Sequence, residues 1–177
     1  KKNKFCTEES PLNPISLYGK TKVKAEEEIL KFKNSVCFRL ATVFGYSYRM
    51  RSDLLVNNFV ETALNKKKLV IFEPNFRRNY IHIRDVVDAF VFAIDNFEKL
   101  KSNTYNVGLS SANLTKIQLA KKIKIFNNRK DPDQRDYFVS NKKIEKAGFM
   151  PKIKLEDGIK ELIIFFSLNK NKILNNY

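Results

Sequence analysis

The run VCFRLATVFG (residues 36–45) is an almost unbroken apolar stretch that ends in glycine. Such a run predicts a parallel β-strand buried on both faces, because a strand covered by helices on either side loses the alternation of a half-exposed one. The segment ahead of it, SLYGKTKVKAEEEIL (16–30), sets Tyr18, Lys22, Ala25 and Ile29 on one helical face, with Glu26–Glu28 around the turn between. Asn13-Pro14 offers an N-cap followed by proline at the first helical position. A helix that feeds into a buried strand predicts α/β layers.

The pattern continues outward in the same manner. DLLVNNFVETALNKKK (53–68) has helical apolar spacing, LVIF (69–72) reads as a short strand, and NYIHI (79–83) as another strand that runs into the helix RDVVDAFVFAIDNF (84–97). TYNVG (104–108) is a further strand ending in glycine. Thr115 and Gln118 have capping-box spacing before KIQLAKKIKIF, Ser140 is placed to cap NKKIEKAG, and Gly148 stands where a helix C-cap belongs. A last amphipathic helix spans about 155–168.

Composition narrows the classes. The chain has 177 residues, 43% of them hydrophobic, with 15 Phe, which is enough for a core of one domain or parts of two. No apolar run approaches the ~18 residues needed to cross a membrane. Cys6 and Cys37 form no disulfide framework or metal pattern, so a reduced, cytoplasmic protein is expected, with Cys37 as a small buried hydrophobe. The net charge of +15 is spread as lysine pairs and triplets along the whole chain. No basic stripe is interleaved with aromatics, so a specific nucleic-acid interface is not expected, and an anionic small ligand fits the charge equally well. The opening KKNKFCTEESPLNP reads like the interior of a longer protein.

Tyr18 and Lys22 stand four apart, within reach of each other on a helix. A lysine there favours the phenolate of a tyrosine, whose reference pKa is about 10, and so suits it to move protons. A lysine-rich surface helix also produces Tyr-x-x-x-Lys without any chemical role. The spacing by itself leaves both readings open.

Taken together, NPISLYGKTKVKAEE, FRLATVFG, RNYIHIRDVVDAF, YNVG and VSNKKIEKAGFMPKIKLEDGIKEL resemble, in order and spacing, the extended short-chain dehydrogenases/reductases. The similarity is greatest to the NAD-dependent nucleotide-sugar epimerases and dehydratases, over nearly the whole chain. It implies the C-terminal part of a doubly wound Rossmann-like sheet plus a smaller mixed α/β substrate-binding lobe. Residues 1–52 and about 79–108 would belong to the first, about 53–78 and 109–170 to the second. It also implies NAD, or NADP, as cofactor, a nucleotide-diphosphate sugar as ligand, and a homodimer for the full-length protein.

The resemblance assigns roles by position. Tyr18 matches the catalytic acid/base. Lys22 matches the lysine that tunes the tyrosine and hydrogen-bonds the nicotinamide ribose, so both residues are also cofactor contacts. Ala41 lies where the family packs against the nicotinamide. Thr42 replaces the usual Asn on the substrate side and is one donor poorer. Asn57 is a substrate-side contact. Arg78 matches a diphosphate-binding arginine, as a planar guanidinium suits; the family's next residue is Asp, and here it is Asn79. Arg135 falls near a second phosphate-binding arginine. His82, the sole histidine, is expected to pack or hydrogen-bond locally, and Asp85 to serve as a helix-start and scaffold residue. No metal site is expected.

Parts of the family pattern are absent. Five glycines, at 19, 45, 108, 148 and 158, cannot make the Gly-rich turn that holds a dinucleotide pyrophosphate. The Ser or Thr that precedes the tyrosine in the family, and the acidic pair of its dehydratases, are missing as well. The chain alone is therefore expected to aggregate and to bind NAD poorly, since the strands of a doubly wound sheet lack neighbours. Two other classes stay open: a noncatalytic dinucleotide- or nucleotide-sugar-binding relative, and a basic nucleic-acid-binding protein.

Overall fold

The computed structural model describes residues 5–66, 69–72, 74–123, 127–129 and 137–169. In chain order the elements are β1 (Phe5–Cys6), α1 (Leu17–Leu30), β2 (Val36–Leu40), β3 (Thr42–Phe44), α2 (Leu55–Lys66), β4 (Val70–Phe72), β5 (Arg77–His82), α3 (Ile83–Asp95), α4 (Phe97–Leu100), β6 (Asn103–Val107), β7 (Asn113–Thr115), α5 (Lys116–Ile123), β8 (Asn127–Arg129), β9 (Phe138–Val139), α6 (Lys142–Ala147) and α7 (Leu155–Leu168).

The α/β expectation holds, with parallel pairing dominant. β2 runs parallel to β6 from Val36↔Asn103 to Leu40↔Val107, and β3 parallel to β5 from Thr42↔Tyr80 to Phe44↔His82. β1–β9 and β4–β8 are parallel pairs, while β7 adds antiparallel to β5. The expected single strand over 36–45 is thus two. The break falls at Ala41, whose N–H donates to Val107 O at 2.9 Å, and beyond it the chain changes partner from β6 to β5. Nor is the run buried on both faces: β2 is half-buried to exposed, because α1, which lies on it, has no buried residue of its own.

Two hydrophobic cores flank the β3–β5 pair. Phe44 and Tyr80 point into one, built mainly from α2, β4, α5 and α7. Ile81 points into the other, with Val86, Ala89, Leu100, Val107, Ile144 and Phe149, and Val43 packs against it. Alternation along paired strands puts successive side chains on opposite faces, so this short ladder separates the two cores.

Helix ends follow local chemistry. The Thr115–Gln118 capping box is reciprocal: Thr115 N–H donates to Gln118 Oε1 at 2.8 Å and Gln118 N–H to Thr115 Oγ1 at 3.1 Å. Gly148 closes α6 with φ 114°, a left-handed conformation that favours glycine. Two expected caps are corrected. α1 begins after Ser16, whose Oγ accepts from Gly19 N–H at 3.1 Å, and not at Asn13-Pro14. Asn141, not Ser140, precedes α6; the Ser140 N–H donates to Cys6 O instead, and its carbonyl accepts from Asn106.

Candidate functional site

Tyr18 and Lys22 lie in the first turns of α1, on one face, as the spacing predicts. The Lys22 Nζ stands 5.5 Å from the centre of the Tyr18 ring, within cation–π range. The Ser16 cap fixes the first turn. Tyr18 is 72% exposed, so its phenol faces outward from the fold.

Near the start of α1 is a cavity of about 650 Å³. Ala41 and Thr42, at the β2–β3 break, form part of its wall, with Asn79, Asn106 and Tyr137 from β5, β6 and the residue before β9. Ile15, three residues before Tyr18, lines the same cavity. The structure therefore brings Ala41 and Thr42 together in one wall. Tyr18 and Lys22 lie beyond its rim.

Arg78 is almost fully buried, its Nη1 donating to Arg77 O at 2.8 Å. Its guanidinium carbon lies 5.2 Å from the centre of the Tyr137 ring, and that ring lines the cavity. Asn79 joins the wall to the chain beyond β6: its Nδ2 donates to Leu109 O at 2.8 Å and its Oδ1 accepts from Asn141 at 3.3 Å. A Cβ at Gly108 would meet Asn79 Oδ1 at 1.7 Å, so only glycine admits this approach.

Asn57 is placed elsewhere. Fully buried on α2, it accepts from Gly45 N–H at 3.0 Å and donates to Arg51 O at 3.0 Å, so its amide serves the backbone. Arg135 lies outside the described residues. His82 packs locally as expected: it is buried and caps α3 by accepting from Arg84 N–H at 3.2 Å. Asp85 is a scaffold residue, its carboxylate accepting from Lys152 N–H and Ile153 N–H. Burial pushes the Cys37 thiol above its ordinary range, although the residue is only half-buried, and it raises the Tyr80 phenol strongly.

Sequence reasoning did not single out Asn106 or Tyr137. Asn106 is the one polar side chain before the glycine of YNVG that faces the cavity, and its backbone N–H donates to the Glu8 carboxylate at 2.8 Å. A polar residue interrupting a buried strand was the available cue. Among the described residues, no helix is long and apolar enough to cross a membrane.

Comparison with known proteins agrees with the α/β fold. The model of the NAD dependent epimerase/dehydratase family matches residues 2–108. UDP-glucuronic acid decarboxylase 3 of Arabidopsis thaliana is 27% identical over 92% of this chain and 51% of its own length. The crystal structure of dTDP-glucose 4,6-dehydratase from Bacillus anthracis in complex with NAD superposes with a TM-score of 0.81, at 22% identity over 96% of this chain and 58% of that one. UDP-glucose 4-epimerase of Thermotoga maritima with UDP-glucose gives 0.76, at 26% identity over 89% and 55%. The chain thus spans little more than half the length of these relatives.

Proposed function

The chain belongs to the NAD-dependent epimerase/dehydratase family, and from that premise we propose that it forms the substrate-side part of a nucleotide-diphosphate-sugar epimerase, dehydratase or reductase. The observation that carries the reading is the pairing of exposed Tyr18 with Lys22 on α1, beside the cavity walled by Ala41 and Thr42.

The residues at hand fit one end of a dinucleotide. Tyr18 and Lys22 are open to a nicotinamide ribose, and Ala41 supplies a small apolar contact for the ring. The pyrophosphate end needs closely spaced glycines, which this chain lacks. Bound NAD, or NADP, supplies the hydride acceptor.

This chain's own groups do the rest. The Tyr18 phenolic oxygen takes the proton from a sugar hydroxyl and later returns one, general acid/base work worth about 10²–10⁴-fold in rate. Lys22 holds the ribose beside it. Thr42 hydrogen-bonds the sugar, and Arg78, with Arg135, binds the diphosphate. Asn57 contributes by fixing the Gly45 backbone. The oxidised sugar then inverts, eliminates or is reduced. The same reading assigns residues 1–52 and about 79–108 to the cofactor lobe and about 53–78 and 109–170 to the substrate lobe, although Phe44, Met50 and Tyr80 share a core with α2, α5 and α7, and α6 and Phe149 pack on the other core. The same reading makes the enzyme a cytoplasmic homodimer.

The test compares the native polypeptide with Tyr18→Phe, measuring NAD affinity by calorimetry and turnover on UDP- and dTDP-hexoses. Turnover is expected to fall by about 10²–10⁴-fold while NAD affinity is kept. Unchanged turnover removes Tyr18 from the mechanism. NAD and sugar binding without turnover in the wild type favours the noncatalytic relative.

A further inference from the structure

We propose that His82 and Glu161 form a proton-sensitive latch that fastens the segment leaving β3 and the first turn of α3 to α7. His82 ends β5 with its side chain fully buried. Its surroundings leave no slack: a Cβ at Gly45 would lie 2.3 Å from Nε2, and one at Gly158 of α7 would lie 2.8 Å from Cδ2. Phe44 meets the ring edge-on, with centroids 5.3 Å apart.

The hydrogen bonds fix the tautomer. Because Nδ1 accepts from Arg84 N–H, the neutral ring carries its hydrogen on Nε2. That atom has no hydrogen-bond partner among the described residues, but Glu161 Oε1 stands 3.5 Å away. The same carboxylate accepts from Tyr46 N–H at 3.3 Å and pairs with the Arg84 guanidinium. Glu161 therefore ties together the chain after β3, the β5–α3 junction and α7.

Protonation upsets both ends of this arrangement. A proton added from solvent sits on Nδ1, where it faces the Arg84 N–H; two donors then oppose each other and the α3 cap is lost. The ring becomes a buried cation. The charged groups facing it are Glu161 from α7 and Arg84 and Asp85 from α3, while β3 presents Phe44 and Gly45. Asp85 is committed to the Lys152 and Ile153 amides, which leaves Glu161 as the counter-ion. As Glu161 turns to the imidazolium, it releases Tyr46. Acid thus loosens the chain that continues from Thr42 of the cavity wall through β3.

Two amide groups report the latch directly, those of Tyr46 and Arg84. Hydrogen exchange followed by mass spectrometry on the native polypeptide, at about pH 7.5 and about pH 5.5 and corrected for the intrinsic pH dependence, should show about tenfold faster exchange at both amides in acid. His82→Asn keeps a capping oxygen and cannot titrate, so it should abolish the acid response. Glu161→Gln should leave Tyr46 exchanging at a rate independent of pH while Arg84 still responds. No acid response in the wild type, or an equal one in His82→Asn, overturns the latch. The readout uses no substrate, so the latch and the enzymatic reading stand or fall separately.

Discussion

The Asp85 carboxylate, buried in the first turn of α3, accepts from the backbone N–H of Lys152 at 2.9 Å, and its second oxygen from Ile153 N–H at 3.1 Å. A side chain expected from sequence to favour a helix start also anchors the approach to α7, nearly seventy positions away in the chain. Asp85→Ala would strand two amides and is expected to lower stability by about 2–4 kcal/mol, as judged by denaturant unfolding. Asp85→Asn, which keeps one acceptor, should lose less. Equal losses for the two variants would mean that packing, not acceptance, is what Asp85 supplies.

Gly158 offers a sharper steric test. Its absent Cβ would come within 2.5 Å of Phe44 Cε2 and 2.8 Å of His82 Cδ2, both rings being buried. Alanine gains about 1 kcal/mol of helix propensity, but overpacking two fixed rings costs about 1–3 kcal/mol. Gly158→Ala should therefore be net destabilising in thermal unfolding, and adding Phe44→Leu should recover part of the loss. A stabilised Gly158→Ala would show that α7 can move away from β3 at little cost.

These contacts mark the boundary of what was legible in the sequence. α7 was readable almost to the residue because amphipathic spacing is local, and the Thr115–Gln118 cap because both partners lie three apart. The break at Ala41 was not readable, because it arises from a change of strand partner that only the tertiary pairing dictates. Ser16 displaced Asn13-Pro14 as the start of α1 since several residues in the stretch can cap and only one meets the Gly19 amide. Tyr18 and Lys22 share a face as their spacing required. Asn57 did not, because helical spacing does not say which face meets a cavity and which a neighbouring backbone.

Asn57 accordingly makes a prediction about stability before one about binding. Its Oδ1 is the acceptor for the buried Gly45 amide, and its Nδ2 satisfies Arg51 O. Asn57→Ala strands the Gly45 amide and leaves Arg51 O only the longer bond from Leu54 N–H at 3.4 Å, for an expected loss of about 1–3 kcal/mol in thermal or denaturant unfolding. Asn57→Asp keeps the acceptor for Gly45 and should fall between. A raised KM for the sugar at unchanged stability would return Asn57 to the role of a direct substrate contact.

The sole histidine sets an acid limit on the fold. Burial holds the His82 imidazole below the ordinary histidine value, against the attraction of Glu161. The unfolded chain, with a histidine near its reference pKa of about 6.5, then binds the proton more readily than the folded one. The sign follows: this contribution is complete above about pH 6.5, declines as pH falls toward the folded-state value, and levels off below it. Denaturant unfolding at a series of pH values should show wild-type stability dropping across that window. His82→Asn should flatten the drop there and leave the carboxylate-driven loss at lower pH in place. A wild-type profile level through this window would mean that the folded chain takes up the proton as easily as the unfolded one, with Glu161 fully offsetting the cost of burial.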